Sequence, residues 1–238
     1  MNNRIIKSDL ILLLTAAIWG FAFVAQRIGM DFLGPFWFSA IRFALGGLFL
    51  IPISAANRKK RIIKDIVSLR SIKIYVLAGS VLFIAANLQQ IGLVYTTAGK
   101  AGFITGLYVV LVPLIGLFIG KKNKALVWIG AVSAATGLYI LSVTDSFFMA
   151  NGDLLVSIGA FFWTAHILII DKYSSTTDAL CFSIGPFLVC SILSAITAVA
   201  TEPVSFSSVK DAFPALIYGS FFSWYSLYLT GGGPKNNK

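Results

Sequence analysis

The chain has 238 residues, of which 58% are hydrophobic, 14% aromatic and only 12% charged. An ordinary soluble domain is about 45–50% apolar and about 25% charged, so a water-soluble fold of this length could not hide so much apolar surface. The same figures exclude intrinsic disorder and a disulfide scaffold. We therefore predict an integral membrane protein. Its formal net charge of +10 indicates basic cytoplasmic loops rather than nucleic-acid binding.

Eight apolar windows are long enough to cross a bilayer as helices, because a hydrocarbon core of about 30 Å needs about 20 apolar residues. Helices are required because lipid offers the backbone no hydrogen-bond partners. In chain order the windows are Leu10–Ile28, Phe36–Ala56, Ile74–Tyr95, Ala101–Gly120, Ala125–Val143, Leu154–Ile170, Ala179–Ala200 and Ala212–Leu229. The sequence predicts an all-α membrane protein, a multi-pass bundle of eight transmembrane helices.

Basic residues in the loops predict the orientation. Arg4 and Lys7 precede the first window, a dense basic run from Arg58 to Lys73 follows the second, and Lys121–Lys124 follows the fourth. All three groups lie on one side, which is the cytoplasmic side by the positive-inside rule. The first window could imitate a signal peptide, but it is long and more spans follow, so we interpret it as a permanent helix. We expect a cytoplasmic N-terminus.

An internal repeat relates the first and sixth windows. The segments Asp9–Trp19 and Asp153–Trp163 share their first two residues, an internal alanine and the closing tryptophan. Five helices, an odd number, separate the two starts, so the second copy enters the membrane from the opposite side. Inverted repeats with a substrate site near the midplane recur in transporters.

A repeat of five helices predicts ten, whereas the chain offers eight. Tyr218–Ser220 aligns with Ala78–Ser80 of the third window, but Gly231–Lys238 is a glycine-rich, charged tail with no repeat counterpart. We expect a first repeat over residues 1–145, a partial second repeat over 146–230 and a polar tail over 231–238. The chain is interpreted as a five-plus-five inverted repeat that lacks its last two helices.

Short motifs along these windows resemble the drug/metabolite transporter superfamily, in its EamA-type branch. The motifs are Ala17–Gly20, Ile41–Phe43, Tyr95–Phe103, Pro113, Gly130 and Gly137. The resemblance implies two five-helix halves, a plasma-membrane location and carriage of small metabolites. The chain departs from the family in having Lys121 after Gly120, where an acidic residue is common, and in lacking the last two helices.

Arg42 is a candidate for the substrate path. A charge within a span costs about 2.5–3.5 kcal/mol on insertion scales, so Arg42 should face protein or a water-filled cavity. It is either a contact for an anionic group of the substrate or a structural arginine that binds helix carbonyls. Tyr108, in the fourth window, is a weaker candidate for the cavity wall.

The remaining candidates each have a structural alternative. Trp19 and Trp163 occupy equivalent repeat positions, deeper than the interfacial belt, and either line a cavity or pack between helices. Asn87 and Gln90 share a helix face and either line the cavity or hydrogen-bond neighbouring helices. Lys100 either steers anions towards the cavity or lies at the interface, although a cation at a helix N-terminus needs a compensating reason.

The sequence offers little for metal or enzyme chemistry. Cys181 and Cys190 point to opposite sides of one helix, and His166 is the single histidine. We expect no cofactor, no metal and no catalytic residues, with lipid and a small-molecule substrate as partners and self-association left open. We predict a carrier for small metabolites or drug-like solutes that works by alternating access. The alternatives are a truncated, non-transporting fragment and, with less support, a membrane-embedded enzyme.

Overall fold

A computed structural model describes residues 3–57, 69–120, 123–142, 150–174 and 179–222. Within these ranges the chain is helical and contains no strand. The helices are α1 (Asn3–Gly29), α2 (Pro35–Asn57), α3 (Leu69–Tyr95), α4 (Ala98–Gly106), α5 (Tyr108–Phe118), α6 (Ala125–Ser142), α7 (Asn151–Ser174), α8 (Ala179–Thr201) and α9 (Phe206–Ile217), followed by a π-helical turn (Tyr218–Phe222). Most of the predicted basic run, Lys121 and the polar tail lie outside the described residues.

Five of these segments are long and apolar enough to cross a membrane, and two more are shorter apolar helices. The five are Pro35–Pro52, Ser71–Tyr95, Ala98–Phe118, Asn151–Tyr173 and Phe182–Thr201, and the shorter two are Leu13–Gly29 and Ala125–Gly137. They coincide with the first seven predicted windows. The prediction of an all-α, multi-pass membrane protein is confirmed.

One window boundary needs correction, and one window contains a break. The last helix begins at Phe206 rather than at Ala212, because the Oγ of Ser205 caps it by accepting the backbone N–H of Ser208 at 3.1 Å. The first turns of α9 are polar, so a search for apolar windows misses them. The fourth window consists of α4 and α5, which are separated only at Leu107.

Helix α3 lies at the centre of the bundle. It packs extensively on α7 and α8, while α2 packs on α8 and α1 packs on α9 and α4. The approach of α3 to α7 is close enough for backbones to touch: a Cβ on Gly152 would lie 2.5 Å from the carbonyl oxygen of Gly92. Small residues allow such contacts between membrane helices.

Many large apolar side chains lie on the outer surface of the described helices. Large side chains on the periphery are strongly exposed, such as Phe118 at 85%, Leu126 at 76% and Val199 at 73%. Exposed apolar area on this scale is unfavourable in water but normal against lipid chains. The polar groups are therefore concentrated inside the bundle, where they define the candidate site.

Candidate functional site

An internal cavity of about 180 Å³ lies where α1, α2, α3, α5, α7, α8 and the π-helical turn meet. The residues that line it are Trp19, Phe23, Gln26, Arg42, Phe43, Gly46, Leu82, Gln89, Tyr108, Trp163, His166, Ile167, Ile170, Ser183, Pro186, Phe187, Gly219 and Ser220. Aromatic and aliphatic side chains dominate this wall, and no carboxylate belongs to its described part. Ligand sites commonly combine such an apolar wall with a few fixed polar groups.

Arg42 is the formal charge in this wall. The side chain is buried at 7% exposure, and its Nε has no hydrogen-bond partner among the described residues. Neither of the two ion pairs found in the described part of the chain involves Arg42. Its guanidinium lies 4.6 Å from the centroid of the Phe43 ring, a cation–π contact that offsets part of its desolvation.

A hydrogen-bonded amide group forms another part of the wall. The indole N–H of Trp163 donates to Oε1 of Gln89 at 2.9 Å, and Nε2 of Gln89 donates to Oε1 of Gln26 at 3.2 Å. The hydroxyl of Thr105 also donates to Oε1 of Gln89, at 3.4 Å. These bonds connect α1, α3, α4 and α7, so Gln89 holds the orientation of the polar wall.

His166 presents one ring nitrogen as an acceptor. Its Nδ1 lies 3.0 Å from the carbonyl oxygen of Ala78. A carbonyl only accepts, so Nδ1 carries the hydrogen, and Nε2 of the neutral ring is left as an acceptor. His166 therefore adds hydrogen-bonding capacity to the cavity without adding negative charge.

Gly219 brings the π-helical turn against Arg42. A Cβ at this position would lie 3.1 Å from Cδ of Arg42, which is tighter than an ordinary contact. Next to it, the hydroxyl of Ser220 lies within hydrogen-bond distance of the carbonyl oxygens of Leu216, at 2.6 Å, and Arg42, at 3.1 Å. The turn thus closes the cavity beside the arginine.

Comparison with known proteins places this architecture in a family. Residues 6–143, more than half of the chain, match the EamA-like transporter family. The chain belongs to this family. The resemblance noted in the sequence is thereby confirmed, and the chain is a multi-pass membrane protein of the EamA-like transporter family.

Two relatives from Archaeoglobus fulgidus, each named an uncharacterized transporter, are similar over most of this chain. The first is 34% identical over 220 residues, which make up 92% of this chain and 66% of the relative. The second is 28% identical over 221 residues, or 89% of this chain and 74% of the relative. The chain thus spans slightly less than two thirds of the length of the first relative.

A crystal structure shares the fold. It superposes with a TM-score of 0.69 at 19% sequence identity, over 95% of this chain and 80% of that one. At this identity the match shows the fold alone. The helical arrangement described above is therefore one that a crystallised protein also adopts.

Four of the residues predicted for the substrate path meet at the cavity of this EamA-like chain. Arg42, Trp19, Tyr108 and Trp163 all line it, although they come from four different helices. Gln26 was missed because α1 shows no polar run around it. Gln89 lies beside the predicted Asn87 and Gln90, so the polar run in α3 was the available signal.

Asn87 and Gln90 lie at helix contacts outside the cavity. Nδ2 of Asn87 donates to the hydroxyl of Ser194 on α8 at 3.0 Å. Nε2 of Gln90 lies 3.3 Å from the carbonyl oxygen of Gln26 and 3.2 Å from the sulfur of Met30, both on or next to α1. The two side chains thus bind different neighbours of α3.

Lys100 belongs to a peripheral polar group, here called the Asp153 cluster and defined as Thr96, Lys100, Ala150 and Asp153. The hydroxyl of Thr96 donates to Oδ1 of Asp153, and the backbone N–H of Ala150 donates to Oδ2 at 3.0 Å. Nζ of Lys100 lies 3.8 Å from the same Oδ2. This carboxylate compensates the cation at the start of α4, and the cluster fixes the α3–α4 connection to the first turn of α7.

Metal ligands do not assemble in the part of the chain that the structure describes. No group of three histidine, cysteine, aspartate or glutamate side chains is close enough there to hold an ion. The described part of the cavity wall offers an arginine, a histidine, two glutamines and aromatic side chains. This set suits reversible binding of a small solute.

Proposed function

We propose that the chain carries small solutes across the plasma membrane through the central cavity, by alternating access between two halves of inverted topology. The observation that carries the proposal is the position of the cavity: helices α1, α2, α3 and α5 of the first half and α7, α8 and the π-helical turn of the second both contribute to its wall. Transporters built from repeats bind substrate at the interface between the repeats.

The size of the cavity favours small metabolites over larger, drug-like solutes. Its volume of about 180 Å³ is below the range of roughly 300–1,000 Å³ that is common for ligand pockets. Its described wall also contains no carboxylate, so the paired acids of an acid–base enzyme are absent there. Membership of a transporter family points the same way.

The helix contacts support an inverted repeat of residues 1–145 and 146–230. If α1, α2 and α3 correspond to α7, α8 and α9 with the π-helical turn, the contact of α3 with α7 should have a counterpart between α9 and α1. Likewise, the contact of α3 with α8 should have a counterpart between α9 and α2. Both counterparts occur. The repeat exchanges α2 with α8, so the contact between these two helices is its own counterpart, as expected at the centre of such a repeat.

The proposed orientation has the N-terminus in the cytoplasm. It rests on the basic residues around the first three spans. In a chain whose Cys181 and Cys190 are replaced by alanine, Ser207→Cys should react with a membrane-impermeant maleimide on intact cells, and Lys64→Cys should react only after lysis. The reversed labelling pattern would contradict this orientation.

Blocking the cavity tests transport itself. Gly46 lines the cavity, and a Cβ there would lie 3.4 Å from the Phe187 ring, so Gly46→Leu places bulk inside the site. Gly130, on the exposed side of α6, has no atom within 4 Å of a built Cβ and provides the matched control Gly130→Leu. We expect cells that express the chain to change their internal and external metabolite levels, as measured by mass spectrometry.

Gly46→Leu should abolish that change, and Gly130→Leu should preserve it at equal expression. Metabolite levels that the unmodified chain leaves unchanged would refute the proposal. A change that persists in Gly46→Leu would also refute it, because the solute would then cross by another route.

A further inference from the structure

We propose that the cavity selects small organic anions, each with a carboxylate at one end and an aromatic or branched aliphatic body. This inference deepens the proposed function and rests on it. Its basis is the charge of the wall: among the described residues that line the cavity, Arg42 is the side chain with a permanent charge, and none is acidic.

Arg42 has no negatively charged partner among the described residues, and an anion would supply one. The side chain is 7% exposed, its Nε is unpartnered among the described residues, and its described contact is the Phe43 ring at 4.6 Å. A buried cation without a carboxylate partner keeps most of its desolvation cost. A planar carboxylate matches the fork of a guanidinium, whereas a cationic solute would be repelled.

The aromatic side chains of the wall fit an apolar body. The rings of Phe43 on α2 and Phe187 on α8 meet edge to face at 5.3 Å, and Trp19 and Trp163 approach from α1 and α7. Aromatic pairs in this arrangement accept a further ring or branched chain by dispersion and edge-to-face contact. The cavity of about 180 Å³ holds one such group with its carboxylate.

The wall also discriminates against an ammonium group on the same molecule. A zwitterionic amino acid needs a negative partner for its ammonium, and the described wall contains none. His166 accepts at Nε2 but carries no negative charge. Plain carboxylates should therefore bind more tightly than amino acids that carry the same side chain.

Four probes with one phenyl ring separate these cases: 3-phenylpropanoate as anion, phenylalanine as zwitterion, phenethylamine as cation and 3-phenylpropan-1-ol as neutral control. Radiolabelled 3-phenylpropanoate is titrated onto the detergent-purified full chain at pH 8, and the other three compete. We expect saturable binding of the anion, at least about tenfold tighter than phenylalanine, because an ammonium that is buried without a negative partner lowers affinity by that factor or more. Phenethylamine should not compete.

The variant Arg42→Gln should weaken binding of the anion by about tenfold or more, and binding of the alcohol by less than about threefold. Arg42→Lys should keep the preference for the anion. The matched control is Arg27→Gln, because Arg27 is exposed and paired with Asp31 at 3.0 Å outside the cavity. Thermal unfolding of each variant verifies that it is folded.

Three results would overturn the inference. The first is no saturable binding of 3-phenylpropanoate, and the second is competition by phenethylamine as strong as that by the unlabelled anion. The third is an equal loss of affinity for the anion and for the alcohol in Arg42→Gln. Each leaves transport through the cavity standing if Gly46→Leu still abolishes the metabolite change. Transport that survives Gly46→Leu instead refutes the proposed function, whatever the probes show.

Discussion

The Asp153 cluster and the cavity around Arg42 each contain a buried charge, but the two charges differ in how many polar partners surround them. Asp153 is 5% exposed and Arg42 is 7% exposed. Asp153 receives a hydroxyl, a backbone N–H and an ammonium. Arg42 has an aromatic ring beside it and an Nε with no partner among the described residues.

This difference separates a structural charge from one that is available to a ligand. A buried charge with a full set of partners stabilises the fold, and removal of either side leaves an unsatisfied group. A buried charge with few partners lowers the stability of the fold and keeps its capacity to bind a ligand. Opposite effects on stability and on binding are therefore expected at the two sites.

The largest effect should come from Asp153→Ala, which leaves the Thr96 hydroxyl and the Ala150 N–H without their acceptor. We expect the free energy of unfolding to fall by about 3 kcal/mol. The measurement is unfolding in mixed detergent and SDS, followed by circular dichroism. Asp211→Ala, at an exposed position of α9, should change it by less than about 0.5 kcal/mol. An equal loss in Asp211→Ala would show that the partners of Asp153 do not stabilise the fold.

Gly152→Ala should also destabilise the chain, because the added Cβ meets the backbone of α3, which cannot move aside as a side chain can. The expected loss is about 1–3 kcal/mol. Gly46→Ala is the matched change in the cavity wall, where the new Cβ makes an ordinary contact with Phe187, and it should cost less than about 1 kcal/mol. The same unfolding assay compares the two, and the reverse order would show that the cavity wall is the tighter contact.

Lys100→Met should have a small effect at the Asp153 cluster. The ammonium lies 3.8 Å from the carboxylate and its side chain is 35% exposed, so solvent screens the pair. We expect the free energy of unfolding to fall by less than about 1 kcal/mol, and this decrease should become smaller as the salt concentration is raised to about 1 M. A loss that matches Asp153→Ala and does not respond to salt would assign Lys100 a larger structural role.

Arg42→Met should leave stability unchanged or raise it by less than about 1 kcal/mol, because it removes an incompletely compensated cation and keeps an apolar side chain of similar length. Binding of 3-phenylpropanoate should nevertheless be lost. Thermal unfolding and the binding titration are measured on the same preparation. A destabilisation as large as that of Asp153→Ala would make Arg42 a structural residue, which is the alternative that the sequence left open.

The sequence predicted the helical class and seven of the apolar segments because hydrophobicity alone determines them. It missed the start of α9 because Ser205 and the polar first turn carry no apolar signal. It also could not separate Gln89 from Asn87 and Gln90, since all three follow closely on α3. Their neighbours are set by where α1, α7 and α8 pack, which is tertiary information that a single sequence does not contain.

Arg42 illustrates the opposite case. A charge inside an apolar span is conspicuous in any sequence, and its cost restricts it to a protein-lined or water-filled interior. Trp19, Tyr108 and Trp163 were also predicted and lie on the same wall. What the sequence could not supply was which side chains surround Arg42, because that depends on which helix faces assemble there.

The hydrogen bond from the Trp163 indole to Gln89 makes the fluorescence of Trp163 sensitive to what occupies the cavity. A solute that enters the cavity displaces the amide or changes the polarity around that ring, and the emission of Trp163 shifts accordingly. The chain has five tryptophans, so Trp163 is read in a variant that carries phenylalanine at the other four. A variant that keeps only Trp37 supplies the reference, because the Trp37 indole N–H donates to the carbonyl oxygen of Glu202 at 3.2 Å, away from the cavity. Both variants can be screened against a solute library by fluorescence without a label.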